Sequence, residues 1–185
     1  IFPAIRSLLA RHPGRVEFRV VGATLPGELP SGTSCRPWSL ETEVRELQGF
    51  DIGVMPMPDN DWTRGKCAFK AIEYLAVGIP AVCSPVGMNL QLIEPGVDGF
   101  LPESAEQWEE VLSKLIEDSG LRERMGACGR AKAVKVYSVE KIFPLFLDTL
   151  LAAAGEKRAA SGLPVTEGYN GQVCHKQHES TGADG

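Results

Sequence analysis

Lys70 and Glu73, three residues apart, are the side chains of this 185-residue chain whose types and spacing best suit chemistry. They lie in the run Gly65-Lys66-Cys67-Ala68-Phe69-Lys70-Ala71-Ile72-Glu73-Tyr74-Leu75-Ala76-Val77-Gly78, which reads as a loop passing into a helix. The first N–H groups of a helix lack intrahelical partners, and the helix dipole adds positive character. Amides around Cys67, Ala68 and Phe69 therefore favour an anion such as a diphosphate. Lys70 adds a cation that suits phosphate oxygens, and Glu73 a carboxylate that accepts hydrogen bonds from paired sugar hydroxyls. Residues three apart share a helix face, so both side chains reach the same cleft. The same spacing equally describes an exposed ion pair on a solvated face, worth about 0.2–0.5 kcal/mol.

Two apolar runs must position this helix. Ile52-Gly53-Val54-Met55, closed by Pro56, and Ile79-Pro80-Ala81-Val82-Cys83 are short and apolar throughout, as strands buried on both faces of a parallel sheet are. Between them the spacing of Phe69, Ile72, Leu75 and Ala76 predicts the core face of the helix, with Lys70, Glu73 and Tyr74 on another flank. Gly78 stops the helix where a left-handed residue is needed, and Pro80 follows. Strand, loop, helix and strand make a right-handed crossover. Ligands of such units bind outside the carboxyl ends of the strands, where the polar loop 57–65 leads into the helix.

The motifs Phe50-Asp51-Ile52-Gly53-Val54-Met55-Pro56, the run 65–80, Ser84-Pro85-Val86-Gly87 and Pro95-Gly96-Val97-Asp98-Gly99-Phe100-Leu101 together resemble one family. It is the retaining group 1 (family 4) glycosyltransferases of GT-B fold, and the likeness is to their carboxy-terminal, donor-binding domain. The resemblance implies an α/β fold, a Rossmann-like three-layer parallel sheet. It also implies transfer of a sugar from a nucleotide-sugar to an acceptor with retention, with no cofactor and no metal. Glu73 falls on the second glutamate of the family's E-x7-E motif, which holds the nucleotide ribose. The first glutamate, which contacts the donor sugar, falls at Gly65, a departure that leaves Asp59, Asp61 and Lys66 as candidates for the sugar hydroxyls. Lys70 matches a lysine found in a branch lacking that first glutamate, so Lys66 and Lys70 become candidate diphosphate stabilisers. The turn at Arg36-Pro37-Trp38 corresponds to one near the nucleotide base, so Trp38 either contacts the base or anchors its loop on the core. The other function class is a non-catalytic α/β module that binds a nucleotide or a protein.

Length and a hydrophobic content of 43% suit one domain with a substantial core. No run approaches the roughly 18 apolar residues of a membrane span. A formal net charge of −5 without a basic cluster argues against nucleic acid as a partner. The five scattered cysteines, Cys35, Cys67, Cys83, Cys128 and Cys174, read as reduced thiols of a cytoplasmic protein.

Further helices are expected over 1–11, over 40–48 with Ser39 as N-cap, over 89–94, from the Ser104/Gln107 capping box onward, over 121–136, and after Ser138. A strand is expected over 16–21, and a loop with a brief edge strand over 23–37. Residues 1–154 are thus expected to form the donor-binding domain, truncated at its N-terminus. The resemblance implies an acceptor domain that the chain lacks, making it a fragment. That domain would receive a glycan, lipid or small molecule, with peripheral membrane association of the full-length enzyme. Residues 155–185, poor in apolar side chains, are expected to be a disordered tail. Within it Cys174, His175 and His178 make only a weak metal motif.

Overall fold

A computed structural model of the chain describes residues 1–25 and 27–155; the expected tail, with Cys174, His175 and His178, lies outside the described residues apart from Gly155. The chain divides into two compact units, Ile1–Arg130 and Ala131–Gly185.

The first unit alternates helices with parallel strands. Helix α1 (Phe2–Arg11) precedes strand β1 (Phe18–Val21), which pairs in parallel with β2 (Thr33–Arg36), Phe18 opposite Thr33 and Val21 opposite Arg36. After helix α2 (Glu43–Gln48) come β3 (Gly53–Met55), the one-turn helix α3 (Asp61–Arg64), helix α4 (Phe69–Val77) and β4 (Ala81–Cys83). Helix α5 (Asn89–Leu92), β5 (Gly99–Phe100), α6 (Ala105–Glu117) and α7 (Ser119–Lys132) follow. All strand pairs are parallel, but the hydrogen bonding forms two sheets, β1-β2 and β3-β4-β5, where the sequence suggested one. β4, paired on both edges, is wholly buried, whereas the residues of β1, paired on one edge, are only half-buried.

Helices cover both faces of the second sheet. Val82 points into a cluster of Ala4, Ile5, Leu8 and Leu9 from α1 with Trp108, Leu112 and Leu115 from α6. Strand residues alternate between faces, so Ala81 and Cys83 look the other way, toward α4. Ala71, Tyr74 and Leu75 are the buried residues of that helix. This corrects the expected face: Phe69 is 60% exposed, and Tyr74 is a core residue whose hydroxyl donates to the Val54 carbonyl at 3.2 Å. Positions 71, 74 and 75 make a tighter helical stripe than 69, 72, 75 and 76, and Gly53 leaves the space that the Tyr74 ring fills.

Two caps differ from expectation for local reasons. Ser39 closes a turn instead, its carbonyl accepting from the Thr42 and Glu43 amides, so α2 begins later with Thr42 as N-cap. The Ser104 hydroxyl accepts from Gln107 N at 3.3 Å, but Gln107 Oε1 accepts from Glu103 N, so the box is shifted by one residue. Gly78 ends α4 at φ 82°, the left-handed conformation expected of it.

In the second unit a π-helical turn, Ala133–Tyr137, leads to helix α8 (Val139–Ala153), which contains Pro144 and buries none of its residues. Among the described residues no helix is long and apolar enough to cross a membrane.

Candidate nucleotide site at the opening of α4

The chain leaves β3 at its carboxyl end, turns through α3 and enters α4, so the first turn of α4 lies at the carboxyl edge of the β3-β4-β5 sheet. The loop expected over 57–65 is more ordered than its polarity suggests. Asn60 and Thr63 form a reciprocal capping box for α3, and Thr63 Oγ1 also donates to the Pro58 carbonyl at 2.5 Å. The Met57 amide donates to Ser84 Oγ at 2.8 Å, and buried Asn89 donates to the Ser84 carbonyl at 2.9 Å. The loops after β3 and β4 thus form one rim.

Ala68, the N-cap of α4, has φ 57° and ψ 29°, and among the described residues it alone is a non-glycine with positive φ. The first bond of the helix runs from the Ile72 amide to the Ala68 carbonyl at 3.1 Å, so the amides of Cys67, Ala68 and Phe69 all precede it. Left-handed alanine costs about 1–2 kcal/mol. Ala68→Gly removes that strain but forfeits a buried methyl worth about 0.8 kcal/mol and adds unfolded-state entropy, so stability should change by no more than about 0.5 kcal/mol. Ala68→Val puts a β-branched side chain where φ is positive and space is filled, and should cost about 2 kcal/mol in chemical denaturation.

Four side chains from three segments meet beside this turn. Lys70 Nζ donates to Glu73 Oε2 at 2.9 Å and to Glu43 Oε1 at 3.3 Å. The indole N–H of Trp38 donates to the same Glu43 oxygen at 2.8 Å. The carboxylates are the sheltered members, with side-chain exposures of 20% for Glu43 and 14% for Glu73 against 50% for Lys70. The Trp38 indole bond lowers the Glu43 carboxyl from its ordinary range, against a smaller opposing effect of burial, and Lys70 adds to the lowering. Burial disfavours the charged form of Lys70, but the hydrogen bonds and charges of Glu73 and Glu43 outweigh it and raise its amine above the usual lysine value. The cluster thus pairs Lys70 with Glu43 and Glu73 in two ion pairs. Lys70 has three N–H donors and uses two, leaving one for a ligand.

The remaining predicted residues fall around this cluster. Lys66 is exposed between α3 and α4, its amide donating to the Thr63 carbonyl at 3.2 Å, and it takes part in no ion pair among the described residues. Gly65 is the exposed C-cap of α3. Asp59 and Asp61 form exposed ion pairs with Arg64, at 2.7 Å and 3.6 Å. Trp38 is half-exposed and lies against Gly22 at the end of β1, where an added Cβ would come 3.1 Å from Trp38 Cβ. Glu43 opens α2, and its place in the site comes from the packing of α2 beside α4.

Among the described residues no group of three His, Cys, Asp or Glu side chains is placed to hold a metal. Cys35, Cys67 and Cys83 are free thiols, but Cys128 is disulfide-bonded, which corrects the reading of all five cysteines as reduced. Burial pushes the Cys83 thiol up to about 12, so it is not a nucleophile at neutral pH.

The family model of glycosyl transferases group 1 matches residues 47–132. Among solved structures, HepE from Anabaena, determined with UDP-glucose, is 20% identical, with 81% of this chain and 44% of that chain covered at a TM-score of 0.63. The sucrose-phosphate synthase of Thermosynechococcus elongatus is 18% identical, with coverages of 81% and 42% and a TM-score of 0.61. The C-terminal domain of the group 1 glycosyl transferase LpcC from Francisella tularensis is 17% identical, with coverages of 74% and 76% and a TM-score of 0.52. No curated protein sequence matches. The chain spans less than half the length of HepE and of the synthase, and at these identities the likeness establishes the fold, the Rossmann-like domain of GT-B glycosyltransferases. Residues 47–132, which carry Lys66, Lys70 and Glu73 at the carboxyl edge of the parallel sheet, are thus the part of the chain that is similar to the glycosyl transferases group 1 family.

Proposed function

We propose that this chain binds the donor of a retaining, family 4 type glycosyltransferase, which moves a sugar from a nucleotide-sugar to an acceptor held by another part of the protein. The observation that carries the reading is the placement of Lys70 and Glu73 together on the first turns of α4, beside amides that precede its first helical bond. In this reading Glu73 accepts from the ribose hydroxyls. The α4 amides and the remaining donor of Lys70 meet the diphosphate, and exposed Lys66 approaches it from the loop. The charge that grows on the departing diphosphate is met by the same groups, which act without a metal. In the same reading Trp38, held by Glu43, is the side chain that meets the base. HepE and the TarM of S. aureus were solved with UDP, which makes UDP the first probe.

The test separates charge from shape. Lys70→Ala should weaken UDP about tenfold while changing uridine affinity less than twofold, because only the former carries the charge that a lysine recognises. Titration calorimetry on both ligands, repeated with GDP and ADP against their nucleosides, checks it. Equal losses return Lys70 to being the partner of two surface carboxylates. A second reading, a module that binds nucleotide without turnover, draws on Gly65, which offers no side chain where the family's first glutamate stands. Release of nucleoside diphosphate from a nucleotide-sugar by the whole protein distinguishes the two.

A further inference from the structure

We propose that Glu43 is the positioning residue of this site, one carboxylate oxygen tying the Trp38 indole and the Lys70 ammonium together so that the nucleotide meets both in place. The inference rests on the nucleotide-binding reading above. Lys70 has a long, flexible stem and is half-exposed, so a single carboxylate on its own helix would leave it several rotamers. Glu43 supplies a second anchor from a different helix at 3.3 Å, and the same oxygen is itself held by the Trp38 N–H at 2.8 Å. The indole has one donor, and this bond occupies it, which turns the ring to a defined orientation beside Gly22. Glu43 thereby links the turn after β2, the start of α2 and the first turns of α4.

A merely structural role, stapling α2 to α4, would change stability and leave ligand affinity alone. An opposing electrostatic effect also exists, since removing a carboxylate makes the cluster less repulsive to a diphosphate. Positioning is expected to outweigh it, because the exposed side of the site is screened by solvent and salt.

The experiment measures affinity for UDP, GDP and ADP by calorimetry in the whole protein for Glu43→Ala, Glu43→Gln, Trp38→Phe and the Glu43→Ala/Trp38→Phe pair. For the diphosphate that binds, Glu43→Ala should weaken affinity about tenfold. Glu43→Gln should lose about threefold, since its amide oxygen still accepts from the indole but no longer attracts Lys70. The double variant should bind no worse than Glu43→Ala, because both changes break the same link. The Trp38 indole resonance should move on ligand addition in wild type and move less in Glu43→Ala. If Glu43→Ala does not fold, the isosteric Glu43→Gln and Trp38→Phe carry the same comparison. Affinity unchanged or tightened in the Glu43 variants, or losses that multiply in the pair, overturns the proposal. If Glu73→Ala and Lys70→Ala weaken binding and the Glu43 variants do not, this inference falls alone. If wild type binds none of the three diphosphates at millimolar concentration, it falls together with the nucleotide-binding reading.

Discussion

Glu73→Ala is expected to weaken nucleotide binding by about 1.5–3 kcal/mol, the range for hydrogen bonds to a charged group, which is about tenfold to 150-fold in affinity. One oxygen of Glu73 accepts from Lys70. The other has no partner among the described residues, and under the proposed function it is the acceptor for the ribose hydroxyls. The side chain is only 14% exposed, so water competes poorly for that oxygen and its loss is felt in full. Stability should hardly move. The ion pair to half-exposed Lys70 contributes little, alanine is the better helix former, and Lys70 keeps Glu43 as a partner. Calorimetric titration with UDP beside a thermal melt checks both halves. Equal affinity for wild type and variant would leave Glu73 as an ion-pair partner and nothing more.

The second large effect is on the scaffold that carries Glu73. Gly53→Ala should destabilise the protein by about 3 kcal/mol, the upper end of what overpacking costs. An added Cβ at residue 53 would sit 2.2 Å from Cγ and 2.3 Å from Cδ2 of Tyr74, at the root of the ring rather than its mobile tip. The ring cannot swing away, because it is buried and its hydroxyl is tied to the Val54 carbonyl. Helix α4 must therefore lift from β3, and Glu73, the neighbouring residue, moves with it. A lowered denaturant midpoint accompanied by weaker nucleotide binding is the expected signature. Adding Tyr74→Leu, which vacates the space, should recover part of the stability but not the hydrogen bond to Val54. A midpoint equal to wild type would mean that α4 does not pack on β3 through this ring.

The site was legible where its parts are close in sequence. Lys70, Glu73 and the amides ahead of them lie on one helix start, and helix starts are signalled locally by a polar loop, a periodic apolar run and a closing glycine. Trp38 was found by likeness to a family's turn, with its alternatives open. Glu43 was missed as a site residue because its role depends on how α2 lies beside α4, 27 residues further on, and nothing in its immediate neighbours records that. The candidates Asp59 and Asp61 were placed by adjacency to the site, and each forms an exposed ion pair with Arg64, on the short helix that the Asn60 capping box creates.

By itself the sequence determined the alternation of strands and helices, the parallel class of the sheets and the stop of α4 at Gly78. These follow from side-chain periodicity and from backbone preferences that act over a few residues. Only the tertiary structure decided that Tyr74, not Phe69, belongs to the core, since that depends on the hollow left by Gly53 on a neighbouring strand. It also decided that the strands divide into two hydrogen-bonded sheets, and that Glu43 joins Trp38 to Lys70. Hydrogen bonds between strands and between helices are satisfied by partners far along the chain, and the identity of a distant partner is a property of packing, not of local pattern.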